Sequence, residues 1–100
     1  MNYRELESLV IEWANEKQIL KKGTTLKQAI KTNEESLELI EAIADNNKDE
    51  IVDALGDILV TIIIQAKMQN VDLLECLESA YNEIKGRKGV TKNGTFIKEK

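Results

Sequence analysis

Histidine and proline are absent from this 100-residue chain, cysteine occurs once, and glycine only five times. Without histidine, Ser-His and Cys-His catalysis, His-ligated zinc and the Glu-x-x-His di-iron sites of helical bundles are excluded. Any chemistry must run on carboxylates, on Lys or Arg, or on a hard metal ion held by oxygen. Without proline, and with little glycine, long helices go uninterrupted, and an aromatic content of 4% argues against a β-sandwich or a base-stacking sheet. The expected class is all-α. Cys76 has no partner for an internal disulfide and lies in VDLLECLESA with no basic neighbour to activate it, so it reads as a small hydrophobe. No apolar run approaches the roughly 18 residues a transmembrane helix needs. The opening MNYRELESLV lacks the basic-then-apolar order of a signal peptide. One soluble, cytoplasmic domain spanning residues 1–100, with no membrane association, is expected.

Charge is what the chain has in quantity, and it is unevenly spread. The net charge of −4 argues against stable nucleic-acid binding, whose footprint is basic. Between Glu34 and Asp57, nine acidic residues face a single basic one, Lys48. From residue 85 to the end, six basic residues face only Glu99. An acidic middle and a basic end in one small chain call for a reason.

Apolar spacing predicts four helices. The first runs from about Tyr3 to Leu20 and is ended by Gly23; the second is capped by Thr24 or Thr25 and reaches Asp45. Asn46 and Asn47 form a turn short enough to make its flanking helices antiparallel. The third helix, about Lys48 to Gln69, is apolar nearly all round over ILVTIIIQA, which one thin four-helix protomer can hardly cover. That implies a homo-oligomer, a homodimer or a tetramer of paired dimers. A fourth helix covers about Asp72 to Lys85. Beyond Gly86, Val90–Lys92, Asn93-Gly94 and Thr95–Ile97 have the form of a β-hairpin, with a basic tail as the alternative.

At about 100° per residue, Glu34, Glu38 and Glu41 fall within an arc of about 60° on the second helix, and Glu35 lies about 60° beyond Glu38. Glu50, Asp53 and Asp57 share a similar arc on the third. Such stripes are often just solvated faces. Here, however, the third-helix stripe continues into Val60, Thr61 and Ile64, so the acidic face runs on into the core. Two carboxylates at 4 Å repel by about 4 kcal/mol at an effective dielectric of 20. With hardly a Lys or Arg among them, the remaining neutraliser is a cation, and carboxylates alone select Mg²⁺ or Mn²⁺. Because Mg²⁺ favours sites completed by substrate phosphates, the basic end becomes a candidate phosphate clamp, through Lys85, Arg87, Lys88 and Lys92.

EESLELIEAI, from Glu34 to Ile43, and EIVDALGDILVTIII, from Glu50 to Ile64, resemble the two acidic motifs of the MazG-like, all-α nucleoside triphosphate pyrophosphohydrolases. IEWANEKQIL and LKQAIKTNEE upstream and NEIKGRKGVTKNGTFIKE downstream extend the resemblance to short, phage-type members. It implies Mg²⁺-dependent cleavage of a nucleoside triphosphate, ribo or deoxy, to the monophosphate and pyrophosphate. Glu35 and Glu38 match the first metal motif, with Glu34 as an extra acid that orients or deprotonates water. The second motif departs from the family pattern at Ala54, where many members carry Glu. Its ligands are then Glu50 and Asp53 with Asp57 auxiliary, or Asp57 with one of those two; the first arrangement is favoured. Trp13, Gln28 and Asn33 are groups that can stack on or hydrogen-bond a base, although Trp13 also suits a core position. The competing class is a non-catalytic helical oligomer whose acidic stripes bind a basic protein surface.

Overall fold

Each long helix begins where the sequence supplies an acceptor for its free N–H groups. In the computed structural model, which describes residues 1–99, helix α1 (Tyr3–Glu16) starts at Asn2, whose side chain accepts from the Glu5 N–H. Helix α2 (Ile19–Lys22) is a single turn. Helix α3 (Thr25–Ala44) starts at Thr24, which accepts from Lys27, and α4 (Lys48–Met68) at Asn47, which accepts from Glu50. Helix α5 (Leu73–Ile84) is capped by Asp72 through Leu74. Strands β1 (Gly89–Lys92) and β2 (Thr95–Lys98) pair antiparallel with Val90 opposite Ile97, and Asn93 and Gly94 take the positive φ angles of the tight turn.

Helix ends are equally legible. Asn46 is left-handed at φ 52°, its N–H donates to the Ile43 carbonyl, and the next N–H, of Asn47, donates back to Ala42. After α4, Asn70 and Val71 repeat the pattern on Lys67 and Ala66. Both are Schellman endings with asparagine in place of glycine.

The described residues form five helices where the sequence predicts four, because the first does not continue to Leu20. It stops at Glu16, and Gln18 takes a left-handed φ of 61°, its N–H donating to the Asn15 carbonyl. The chain restarts as α2, which packs on α4 with Ile19 and Leu20 half-buried. Glutamine at a left-handed position carries no turn signal, so hydrophobic spacing reads straight through it. Gly23 is needed for closeness: a Cβ there would stand 2.5 Å from the Ile19 carbonyl oxygen and 3.1 Å from Met68 Cε.

The centre of the molecule is the antiparallel α3–α4 pair, with α1 and α2 laid against α4. Its interior is built of small and β-branched residues: Ala14, Ala42, Ala54, Ile63, Ile64 and Ala66 are buried. Two of the four isoleucines in the apolar run are thus buried within one chain, while Val52, Leu55 and Leu59 on the same helix face out. Leu37 and Ile40 on α3, and Leu77 and Tyr81 on α5, are also exposed. Helix α5 and the hairpin have no extensive packing on the other helices. The N-terminus of α5 is tied to α1 by the Arg4–Asp72 ion pair at 2.8 Å. No helix among the described residues is long and apolar enough to cross a membrane.

Candidate metal centre

Helices α3 and α4 are joined by a turn of only a few residues, so acids that precede and follow it must face each other across the pair. Between them runs a groove of about 380 Å³ lined by Glu38, Glu41, Asp45, Glu50, Asp53 and Asp57, with the buried Ala54 at its floor. At the inner end of the groove, carboxylate oxygens of Glu35, Glu38 and Asp57 lie within 4.8 Å of one another. Glu38 and Asp57 are exposed. Glu35 is buried, and its Oε2 has no hydrogen-bond partner.

An ionised carboxylate oxygen shut away from water without a donor is costly, by several kcal/mol or a compensating shift in its protonation. Burial, and then the adjacent Glu38, push the Glu35 carboxyl above the ordinary carboxylate range. Lys31 pulls the other way. Its Nζ lies 3.6 Å from Glu35 Oε1 and 3.6 Å from Glu34 Oε2. One lysine shared between two glutamates leaves Glu38 and Asp57 unneutralised, and Glu35 Oε2 bare. Three carboxylates without a nitrogen or sulfur donor, one of them offering a buried oxygen that nothing satisfies, fit a hard divalent cation such as Mg²⁺ or Mn²⁺.

The protomer brings Asp57, from the second acidic motif, to Glu35 and Glu38; Glu50 and Asp53 line the outer groove instead. Spacing allows either arrangement, and proximity here favours Asp57 over the pair Glu50 and Asp53. All three α4 acids share a face, so only their height relative to Glu35 separates them, and helical angle says nothing about that height. Glu34 stands at the exposed rim beside Lys31.

Trp13 is 46% exposed and lies beside Asp57 in two adjoining cavities. One is apolar, shared with Leu6, Leu9, Val10 and Val60; the other also holds Gln28, Lys31 and Glu35. Gln28 is buried, with its Nε2 donating to the Thr61 carbonyl at 3.2 Å. Asn33 is exposed and lines neither cavity. Lys85, Arg87, Lys88 and Lys92 are exposed and do not line the acidic groove of their own protomer, and Arg87 lies 3.4 Å from Glu83.

Sequence reasoning passed over two contributors. Lys31 carried a signal, since it precedes Glu34 and Glu35 by three and four residues, the spacing of helical ion pairs. Thr61 carried none beyond being a polar residue in an apolar run; it is buried and hydrogen-bonded to Thr32 and Gln28.

Comparison with known proteins agrees with this geometry. The family model of the MazG nucleotide pyrophosphohydrolase domain matches residues 22–90, which include every acid of the groove. A protein of Haemophilus phage HP1, described as an uncharacterized 18.2 kDa protein in the rep-hol intergenic region, is 35% identical over 69 residues. The aligned part is 69% of this chain and 42% of the phage protein, so the chain spans about two fifths of that relative's length. No solved structure matches. With the family model covering more than half of the chain, and the acids of both motifs facing one another across α3 and α4, the chain belongs to the MazG nucleotide pyrophosphohydrolase family.

Proposed function

We propose that the protein is a Mg²⁺-dependent nucleoside triphosphate pyrophosphohydrolase. It breaks the anhydride between the α- and β-phosphates with water and releases a nucleoside monophosphate and pyrophosphate. The observation that carries this reading is the buried, unpartnered Oε2 of Glu35 beside Glu38 and Asp57, inside the family-matched segment.

Glu35, Glu38 and Asp57 would hold the cation, with Glu50 and Asp53 available further along the groove to a second ion or to the hydrated edge of the first. The bound cation supplies charge neutralisation for the triphosphate and makes water easier to ionise. Glu34, exposed beside Lys31, would orient or deprotonate the attacking water. Trp13 offers an exposed indole face beside Asp57 for the base, and Gln28 lies in the adjoining cavity. The reading includes cytoplasmic action on free nucleotides.

The phosphates also need cations, and those of the C-terminal segment do not line the groove of their own protomer. We therefore read the active form as a homodimer or dimer of dimers in which exposed Leu55, Leu59 and Ile40 are covered by another copy. Lys85, Arg87, Lys88 and Lys92 then reach the triphosphate from a neighbouring chain.

Pyrophosphate release from a panel of ribo- and deoxyribonucleoside triphosphates, with and without Mg²⁺, tests the proposal. Metal-dependent release from at least one member is expected. No release from any member, with or without Mn²⁺, overturns it in favour of the non-catalytic oligomer.

A further inference from the structure

One turn inside the carboxylate cluster, α3 and α4 are joined by a buried polar lattice centred on Thr61. Thr61 Oγ1 donates to the Ile58 carbonyl within its own helix at 2.7 Å and lies 2.9 Å from Thr32 Oγ1 of α3. A hydroxyl has one proton. With that of Thr61 given to Ile58, Thr32 donates across to Thr61, although the Gln28 carbonyl is also within its reach at 3.2 Å. The Thr61 backbone carbonyl accepts a second cross-helix bond, from Gln28 Nε2 at 3.2 Å. Thr61 and Gln28 are buried, and Thr32 is half-buried. Thr32 lies three residues before Glu35, and Thr61 four residues after Asp57. In an antiparallel pair these offsets put the lattice one turn from the cluster.

Apolar packing between helices is non-directional and tolerates sliding, whereas hydrogen bonds fix position within a few tenths of an ångström. The buried Ala42 and Ala54 permit close approach and set no axial register, and one turn beyond Thr61 a further cross-helix bond runs from Gln65 Nε2 to the Thr25 carbonyl at 2.9 Å, farther from the cluster than Thr61. Meanwhile Glu35, Glu38 and Asp57 repel one another and push the helices apart or along each other. Slippage by one residue would displace Asp57 by about 1.5 Å relative to Glu35, enough to spoil a hard-ion site that demands near-ideal geometry.

We propose that Thr61, held by Thr32 and Gln28, is the positioning residue that fixes the height of Asp57 against Glu35 and Glu38. This rests on the metal reading above and assigns a task in placing the carboxylates to a residue that is not one of them. Groups that orient metal ligands from behind typically change metal affinity about 10- to 100-fold when removed.

The test compares wild type with Thr61→Val, which keeps the shape and loses the hydroxyl, and Thr61→Ser, which keeps the hydroxyl. Mn²⁺ is titrated by electron paramagnetic resonance, alone and with a non-hydrolysable nucleoside triphosphate, and melting is followed in chelator. The expected result is that Thr61→Val binds Mn²⁺ at least about tenfold more weakly and Thr61→Ser binds nearly as wild type. A lower melting temperature with unchanged Mn²⁺ affinity makes Thr61 structural only and overturns the proposal. Should Thr61→Val fail to fold, Thr32→Val removes the cross-helix donor while leaving the Thr61–Ile58 bond, and is judged by the same criterion. Wild-type protein that binds no Mn²⁺ in either condition overturns the metal reading, and this inference with it.

Discussion

Two parts of this small chain are built on opposite terms. In the α1–α4 bundle, alanines, Ile63 and Ile64 are shut away and one glutamate is buried among them; in α5 and the hairpin no residue is buried. The bundle carries the acidic groove, and the arm that follows α5 carries Lys85, Arg87, Lys88 and Lys92. A region with its own interior can hold like charges together against their repulsion. A region without one can present charge but cannot aim it, so its direction must come from whatever it packs against. The contrast teaches that the carboxylates gather within one chain, whereas the basic residues of the C-terminal segment do not line their groove.

The sharpest way to break the comparison is through the bundle's interior. Ile64→Ala should cost about 2–5 kcal/mol, because the closely packed α3–α4 pair cannot collapse onto the space left; denaturant unfolding measures it. Glu35→Gln should act on function without acting on fold. Hydrolysis is expected to fall by about 100-fold or more, while melting in chelator stays at or above wild type, since one of three repelling carboxylates is gone. A large loss of stability in that variant would mean that Glu35 is held by something other than its acidic neighbours.

Removing the arm after Gly86 should lower kcat/KM by about tenfold or more, because each charge-assisted phosphate contact contributes about 1.5–3 kcal/mol. Helix content and unfolding of the bundle should not change. Equal kinetics would reduce the arm to a tail.

The smallest expected effect lies at the junction of the two regions. Hydrogen bonding from Arg4, and then from the Leu74 backbone, holds the Asp72 carboxyl below its ordinary range. A folded-state pKa below the unfolded one means that the contribution is full above the unfolded value of about 3.9, and is lost as pH falls through the folded value. The gap in melting temperature between wild type and Asp72→Asn should therefore be widest near neutrality and close toward acid.

Much of this architecture was legible because the signals were local. Thr24, Asn47 and Asp72 each cap the helix they precede, and Asn93-Gly94 makes the turn it suggests. The break at Gln18 was not legible, since a glutamine there is spelled like helix and the turn shows only in the packing of α2 on α1 and α4. Within the site, spacing put the acids of each helix on one face but left the ranking of Glu50, Asp53 and Asp57 open. That ranking depends on how far α4 is displaced along α3, a tertiary quantity set by contacts such as Thr61–Thr32.

The turn between Ala44 and Lys48 has a consequence for the order of events in folding. Glu38 and Asp57 are nineteen positions apart, so the acids converge as soon as one helical hairpin closes, long before α1, α2 or the arm need be in place. Local closure of this kind is fast. The electrostatic penalty therefore falls on the earliest structured species rather than the last, and divalent cations present during refolding should speed the reaction as well as stabilise its product. On the metal reading proposed above, a newly made chain would acquire its cation while it is still becoming a protein.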